Sequence, residues 1–252
     1  RAGLRQHLEI PFVVAGEAQH EMARPGPGIA VEPRGHAFRR TEVAGLAPAQ
    51  TIRVEAVDAA HGGGSRLAAH GGGSRLAVGA RVTRANALVL ALLGSDNGAA
   101  AALARTYPGG PGAFERALQD KIRALGLRHT TLSEPTGLSP ENASTAADVA
   151  RIVAASARYP QIPAITGERG ADVVVDGRPR HLRNHNPLVG AAGWDIRLSK
   201  TGFTRAAGNC LTMSLRTGGR DVTLVLLDTT DVDRRLRDAR AIQQVLANPG
   251  AI

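Results

Sequence analysis

The chain has 252 residues and a formal net charge of +9, with 43% apolar, 21% charged and 3% aromatic residues. This balance is that of a globular protein of one large domain or two small ones, with a core of aliphatic side chains. The single cysteine, Cys210, excludes an intrachain disulfide and a thiolate metal cluster. The longest apolar run, Ala87 to Leu93, is too short to span a membrane.

The positive charge has two interpretations. It could attract an anionic partner such as nucleic acid, or it could reflect a GC-rich genome, which favours arginine codons. Lys121 and Lys200 are the two lysines, and the arginines are scattered along the chain. Because nucleic-acid-binding modules cluster their basic residues and add aromatic platforms, we favour the compositional interpretation and expect no nucleic-acid partner.

The first fifty residues differ from the rest of the chain. They contain no Ser, Lys or Asn, and prolines and glycines interrupt them. Apart from a short run from Ile10 to Val14, no helical or strand period persists, so we predict an atypical, poorly ordered segment of loops with weak strands. No signal peptide is visible, although the chain begins at Arg1 and not at Met.

A direct repeat follows, in which Ala60–Ala68 is copied without change at Ala69–Ala77. Two copies are too few for a solenoid, so we interpret the repeat as a duplication in a surface loop. Its His-Gly-Gly-Gly resembles the oxyanion loop of esterases, but the chain contains no Gly-x-Ser-x-Gly elbow. No carboxylate stands at metal-ligand spacing from His61 or His70, so we expect no metal and no cofactor.

The segment from about residue 83 to 160 predicts four helices, marked by capping residues and stop signals. They are Arg84–Leu93 after a Thr83 cap, Gly98–Thr106, a segment from Pro111 that stops at Gly126, and a segment after a Thr145 cap that stops at Pro160.

The segment from about residue 170 to 252 changes to strand periodicity and ends in a helix. Asp176-Gly177 predicts a type I′ turn between Val173–Val175 and Arg178–Leu182. Further strands are predicted at Trp194–Ser199, Asn209–Leu215 and Asp221–Leu227, and a helix at Asp233–Leu246. A helical part followed by antiparallel strands indicates an α+β fold.

Two short motifs could carry chemistry. Ser95-Asp96-Asn97 lies between two predicted helices, and Lys200-Thr201-Gly202 ends a predicted strand. A serine hydroxyl can relay a proton, and an asparagine amide can hold a peptide group from both sides. A lysine stabilises a carboxylate or an oxyanion, a threonine adds a hydroxyl, and a glycine allows a substrate backbone to approach a strand edge.

Five further blocks accompany these motifs in chain order: Gly73–Leu76, Glu134–Leu138, Ser144–Asp148, Asn184–Asn186 and Ala207–Cys210. With them, the chain from about Thr51 to Ile252 resembles the serine-type D-alanyl-D-alanine carboxypeptidases and endopeptidases, which are low-molecular-weight penicillin-binding proteins.

The resemblance implies an antiparallel sheet flanked by helices, with a helical subdomain beside it. It implies acyl transfer from a D-Ala-D-Ala peptide of peptidoglycan to a serine, followed by hydrolysis, and it implies a periplasmic location and binding of β-lactams where a nucleophile exists. It places Ser95 as a proton relay, Asn97 as a substrate contact, and Lys200 with Thr201 and Gly202 as the carboxylate and oxyanion site.

The Ser-x-x-Lys motif that supplies the nucleophile in such enzymes is missing, because no serine of this chain has a lysine three residues later. We therefore expect the chain as written to be inactive or nearly so. Our hypothesis is that a frame shift or a degenerate gene start replaced the segment before about Thr51. The alternative is a non-catalytic protein that binds peptidoglycan peptides.

Overall fold

The structure is a computed structural model that describes residues 6–7, 47–60 and 76–247. Most of the atypical N-terminal segment and of the repeated loop, including His61 and His70, therefore lies outside the described residues. In the part that is described, no helix is both long and apolar enough to cross a membrane.

Seven helices occur among the described residues, and local capping explains where several begin. Thr83 accepts a hydrogen bond from the backbone N–H of Asn86, Pro111 occupies a first turn, and Thr145 accepts from the N–H of Asp148. The helices are α1 (Ala56–Ala60), α2 (Arg84–Leu92), α3 (Asn97–Arg105), α4 (Pro111–Ala124), α5 (Ala146–Ser156), α6 (Gln161–Thr166) and α7 (Val232–Ala247).

The strands form antiparallel pairs in three sheets. They are β1 (Gln6–His7), β2 (Thr51–Arg53), β3 (Arg81–Thr83), β4 (Ala143–Ser144), β5 (Gly170–Val175), β6 (Arg178–Arg183), β7 (Asp195–Thr204), β8 (Gly208–Thr217) and β9 (Arg220–Thr229). One sheet has the order β2-β3-β5-β6, a second has the order β7-β8-β9, and β1 pairs with β4. The predicted hairpin turn is present, with positive φ at both Asp176 and Gly177.

The β7-β8-β9 sheet lies between two helical layers. On one face, Leu211, Met213 and Leu215 are fully buried in a cluster that includes Ala239 of α7. On the other face, Leu198 packs with Val149 and Val153 of α5. Successive residues of a strand point to opposite faces, so each strand of this sheet contributes to both layers.

The α2–α3 pair belongs to a different core from α7. Leu90 and Ala91 of α2 and Ala99 of α3 are buried together with Val173 and Val175 of β5. The strands after residue 170 are therefore divided between two sheets, and the β5–β6 hairpin packs on the helices that flank Ser95.

The prediction that the strand ends at Ser199 was wrong. β7 continues to Thr204, because its pairing with β8 runs in register from Lys200↔Thr212 to Thr204↔Gly208. Lys200-Thr201-Gly202 therefore lies inside a hydrogen-bonded strand. The short strands β2, β3 and β4 and the helix α6, which contains Pro163, were not predicted.

Candidate active site

Ser95 lies in the sharp connection between α2 and α3. Its φ is 50°, a left-handed value that non-glycine residues rarely adopt and that costs on the order of 1–3 kcal/mol. The next residue secures this conformation: the N–H of Asp96 donates to Leu90 O at 2.9 Å, and its carboxylate caps α3 by accepting from Ala99 N at 2.9 Å. The turn that carries Ser95 is therefore fixed by hydrogen bonds to both α2 and α3.

Lys200 of β7 contacts Ser95 across a separation of 105 residues. Its Nζ donates a hydrogen bond to Ser95 Oγ and another to Thr201 O at 2.8 Å. The lysine is only 7% exposed. Two of the residues singled out in the sequence are therefore in direct contact, and they join the helical part to the β7-β8-β9 sheet.

The remaining motif residues lie next to this pair. Asn97 is the first residue of α3 and is buried. Lys200 and Gly202 lie on the same sheet face as Leu198. Thr201, which pairs with Leu211 of β8, lies on the opposite face. In the described part of the chain β7 is one of the two edge strands of its sheet, so Thr201 and Gly202 stand where an extended peptide could align with a strand.

Asn186 positions β7 from the loop that follows β6. It is 2% exposed, and its amide donates to Ser199 Oγ at 2.9 Å and to Met213 Sδ at 3.1 Å. Its carbonyl accepts from Leu188 N at 3.1 Å. Because Ser199 directly precedes Lys200, these bonds fix the strand beside the lysine. Asn186 belongs to the Asn184–Asn186 block that contributes to the family resemblance, but the sequence did not predict a role for it.

Arg235 of α7 is a second buried cation close to the motif, and sequence reasoning missed it. Its Nη1 donates to Cys210 O at 3.2 Å, and Cys210 is the pairing partner of Gly202. Within the described residues its Nε has no hydrogen-bond partner. Burial lowers the pKa of the Arg235 guanidinium, because desolvation disfavours its charged form. A sequence signal was its position four residues before Ala239, which places both residues on the same, buried face of the helix.

A family model described as D-alanyl-D-alanine carboxypeptidase matches residues 53–231. The chain belongs to this family. The match includes Ser95-Asp96-Asn97 and Lys200-Thr201-Gly202, so the resemblance proposed from the motifs is confirmed.

Curated relatives support the same assignment. The chain is 40% identical over 182 residues to a D-alanyl-D-alanine endopeptidase of Pseudomonas aeruginosa, which covers 69% of this chain and 59% of the relative. It is 41% identical over 165 residues to a D-alanyl-D-alanine endopeptidase of Escherichia coli, which covers 64% of this chain and 53% of the relative. The chain therefore spans between half and three fifths of the length of these relatives.

Solved structures show the fold. A DD-transpeptidase of Streptomyces superposes with a TM-score of 0.69 at 21% identity, covering 81% of this chain and 80% of that one. A D-alanyl-D-alanine carboxypeptidase of Mycobacterium tuberculosis superposes with a TM-score of 0.62 at 26% identity, covering 72% of this chain and 66% of that one. The predicted α+β fold of the penicillin-binding-protein type is confirmed.

The site of this family member combines a hydroxyl, a buried ammonium and a strand edge. Ser95 and Lys200 form a pair through which a proton can pass, and Lys200 with Arg235 supplies positive charge at β7. No group of three or more His, Cys, Asp or Glu side chains suited to a metal occurs in the ranges that the structure describes.

Proposed function

We propose that this chain recognises peptides ending in D-alanyl-D-alanine, such as the stem peptides of peptidoglycan, at the Ser95–Lys200 site. The observation that supports this most directly is the contact of Lys200 Nζ with Ser95 Oγ at β7, an edge strand of its sheet. We also propose a periplasmic location, where this substrate occurs, on the basis of the family.

Binding would use the two cations and the edge of β7. The peptide would lie extended along Thr201 and Gly202, as in other cases of strand addition to a sheet edge. Its terminal carboxylate would interact with Lys200. Arg235 of α7, which bonds to Cys210 O in the neighbouring strand β8, would add to the positive potential. A charge-assisted hydrogen bond of this type contributes about 1.5–3 kcal/mol.

Turnover would be slow, because no serine of the chain is followed three residues later by a lysine. In serine hydrolases, loss of the nucleophile lowers kcat by roughly 10⁶-fold and leaves only the contributions of binding and the oxyanion site. Recognition of the peptide is therefore the activity that the described residues support best, with a hydrolytic D-alanyl-D-alanine peptidase as the second candidate.

The test is calorimetric binding of an acetylated tripeptide ending in D-Ala-D-Ala, compared with the same peptide ending in L-Ala-L-Ala. We expect binding of the D-form to weaken about ten- to a hundredfold in Lys200→Ala, in line with the loss of one charge-assisted hydrogen bond. Lys121→Ala is the matched control, since Lys121 bonds to Tyr159 in the helical part and should leave affinity unchanged.

Two results would contradict the proposal: equal affinity for the D- and L-peptides, or affinity insensitive to Lys200→Ala. Release of free D-alanine by the same samples separates the two candidates. Hydrolysis at rates typical of enzymes, with kcat of about 1 s⁻¹ or more, would favour the peptidase over the binding protein.

A further inference from the structure

We propose that Arg205, in the turn between β7 and β8, binds a carboxylate that the peptide carries three residues before its terminal D-alanine. The inference rests on the proposed function, because it concerns a more distant part of the same peptide. It names a class of substrate, a peptide with an acidic residue at that position, and it makes Arg205 a residue that determines specificity.

The accessible part of β7 is closed at the end that precedes Lys200. Ser199 is buried and receives a hydrogen bond from Asn186. The C-terminal end of α6 lies against the strand backbone at this end, since a Cβ at Gly167 would come within 2.7 Å of Arg197 O. A peptide on β7 therefore has room for its terminal carboxylate near Lys200 but not for further residues in that direction.

The other end of the accessible part is open. Thr201, Gly202 and Thr204 are half-buried, whereas Arg205 and Ala206 are exposed. The peptide residues that precede the terminal one must therefore follow β7 toward the turn. A strand and an extended peptide both advance about 3.3 Å per residue, so Arg205 lies about 13 Å along the strand from Thr201, and a residue three positions before the peptide terminus lies about 10 Å along the peptide. The side chain of Arg205 has to bridge only the difference.

The turn that carries Arg205 is fixed by a hydrogen bond and a glycine. Thr204 Oγ1 accepts from Ala207 N at 2.9 Å. Gly208 has a φ of 65°, and a Cβ at this position would lie 2.6 Å from Asp228 Oδ1, so a larger residue does not fit. Binding of a carboxylate must therefore order the side chain of Arg205 but not the turn itself, which lowers the entropic cost.

Arg205 is available for an external carboxylate. None of the ion pairs formed within the described residues involves Arg205, whereas Arg197 at the closed end of β7 pairs with Asp195 and Asp221. A guanidinium matches the geometry of a carboxylate and stays charged at every pH of interest. Because Arg205 is exposed, solvent and salt screen the pair, and we expect it to change affinity by about two- to fivefold.

The test is calorimetric binding of acetyl-Ala-Glu-Ala-D-Ala-D-Ala and of the same peptide with Gln in place of Glu. We expect the unchanged protein to bind the Glu peptide about two- to fivefold more tightly. Arg205→Ala should bind both peptides with the affinity that the unchanged protein has for the Gln peptide. In Arg205→Glu the preference should reverse, because like charges repel, and in Arg205→Lys most of it should remain, because the charge remains.

Arg220→Ala is the matched control. Arg220 is exposed at the start of β9, so this variant removes the same charge as Arg205→Ala from a different place on the sheet. Its preference for the Glu peptide should equal that of the unchanged protein. A preference that disappears in Arg220→Ala as well would show an effect of net charge and would overturn the assignment to Arg205.

Failure of this inference can be distinguished from failure of the proposed function. Equal affinity of the unchanged protein for the Glu and Gln peptides, or a preference that persists in Arg205→Ala, would overturn the role of Arg205. Peptide recognition still stands in that case if both peptides bind and Lys200→Ala weakens their binding. If neither peptide binds to protein shown by circular dichroism to be folded, both proposals fail.

Discussion

Replacement of Arg105 should destabilise the protein far more than replacement of an exposed arginine. Arg105 is the last residue of α3, and its guanidinium donates to Asp58 Oδ2 at 2.8 Å, to Glu55 Oε1 at 2.7 Å and to Arg53 O at 2.8 Å. These bonds tie α3, which begins next to Ser95, to α1 and β2. The hydrogen bond with Asp58 raises the pKa of Arg105, so the arginine stays charged.

The size of the expected destabilisation follows from the burial of Asp58, the carboxylate with which Arg105 pairs. The side chains of Arg105 and Asp58 are 21% and 1% exposed. Arg105→Ala leaves the Asp58 carboxylate buried with Glu55 N, at 2.8 Å, as a remaining donor. Breaking a buried pair in this way costs about 3–5 kcal/mol. At about 2–4 °C per kcal/mol for a protein of this size, Tm should fall by roughly 6–20 °C.

Thermal unfolding followed by circular dichroism measures the effect. The matched control is Arg123→Ala, because Arg123 pairs with Asp120 at the surface, with side chains 71% and 57% exposed, and exposed pairs contribute at most about 1 kcal/mol. Adding Asp58→Asn to Arg105→Ala should recover much of the loss, since a neutral amide replaces the stranded charge. Equal Tm values for the two arginine variants, or no recovery in the double variant, would refute the reasoning.

Two further predictions concern the residues that hold the site. Asn186→Ala should lower the free energy of unfolding by about 2–3 kcal/mol, because buried Ser199 and Leu188 N lose their partner; a loss below about 0.5 kcal/mol in urea titrations would contradict this. Ser95→Gly should be more stable than Ser95→Ala by about 1 kcal/mol, since both lose the hydroxyl and only glycine adopts positive φ without strain. An alanine variant of equal stability would be inconsistent with the left-handed turn.

The helix starts and the hairpin turn were predictable from the sequence alone. Thr83, Pro111 and Thr145 act on backbone groups within a few residues of themselves, so their effect is visible without the fold. Asp176-Gly177 likewise determines its own turn, because positive φ at two consecutive positions is a local property. The motifs were sufficient to indicate the family, since their order along the chain is also a sequence property.

The extent of β7 and the division into two sheets depended on pairing between distant segments. The pattern from Trp194 to Ser199 predicts a strand, but the register with β8 extends that strand through Lys200 to Thr204. Very short strands such as β3 carry too few residues for a period to be visible, and they form because β2 and β5 lie beside them.

The sequence by itself determined the family, most helices and the residue types at the site. Only the tertiary structure decided that Lys200 contacts Ser95, that Asn186 holds the strand beside the lysine, and that Arg235 is buried next to Cys210. The physical reason is distance along the chain. Capping and turn geometry involve neighbouring residues, whereas a contact across 105 residues depends on how whole helices and sheets pack against one another.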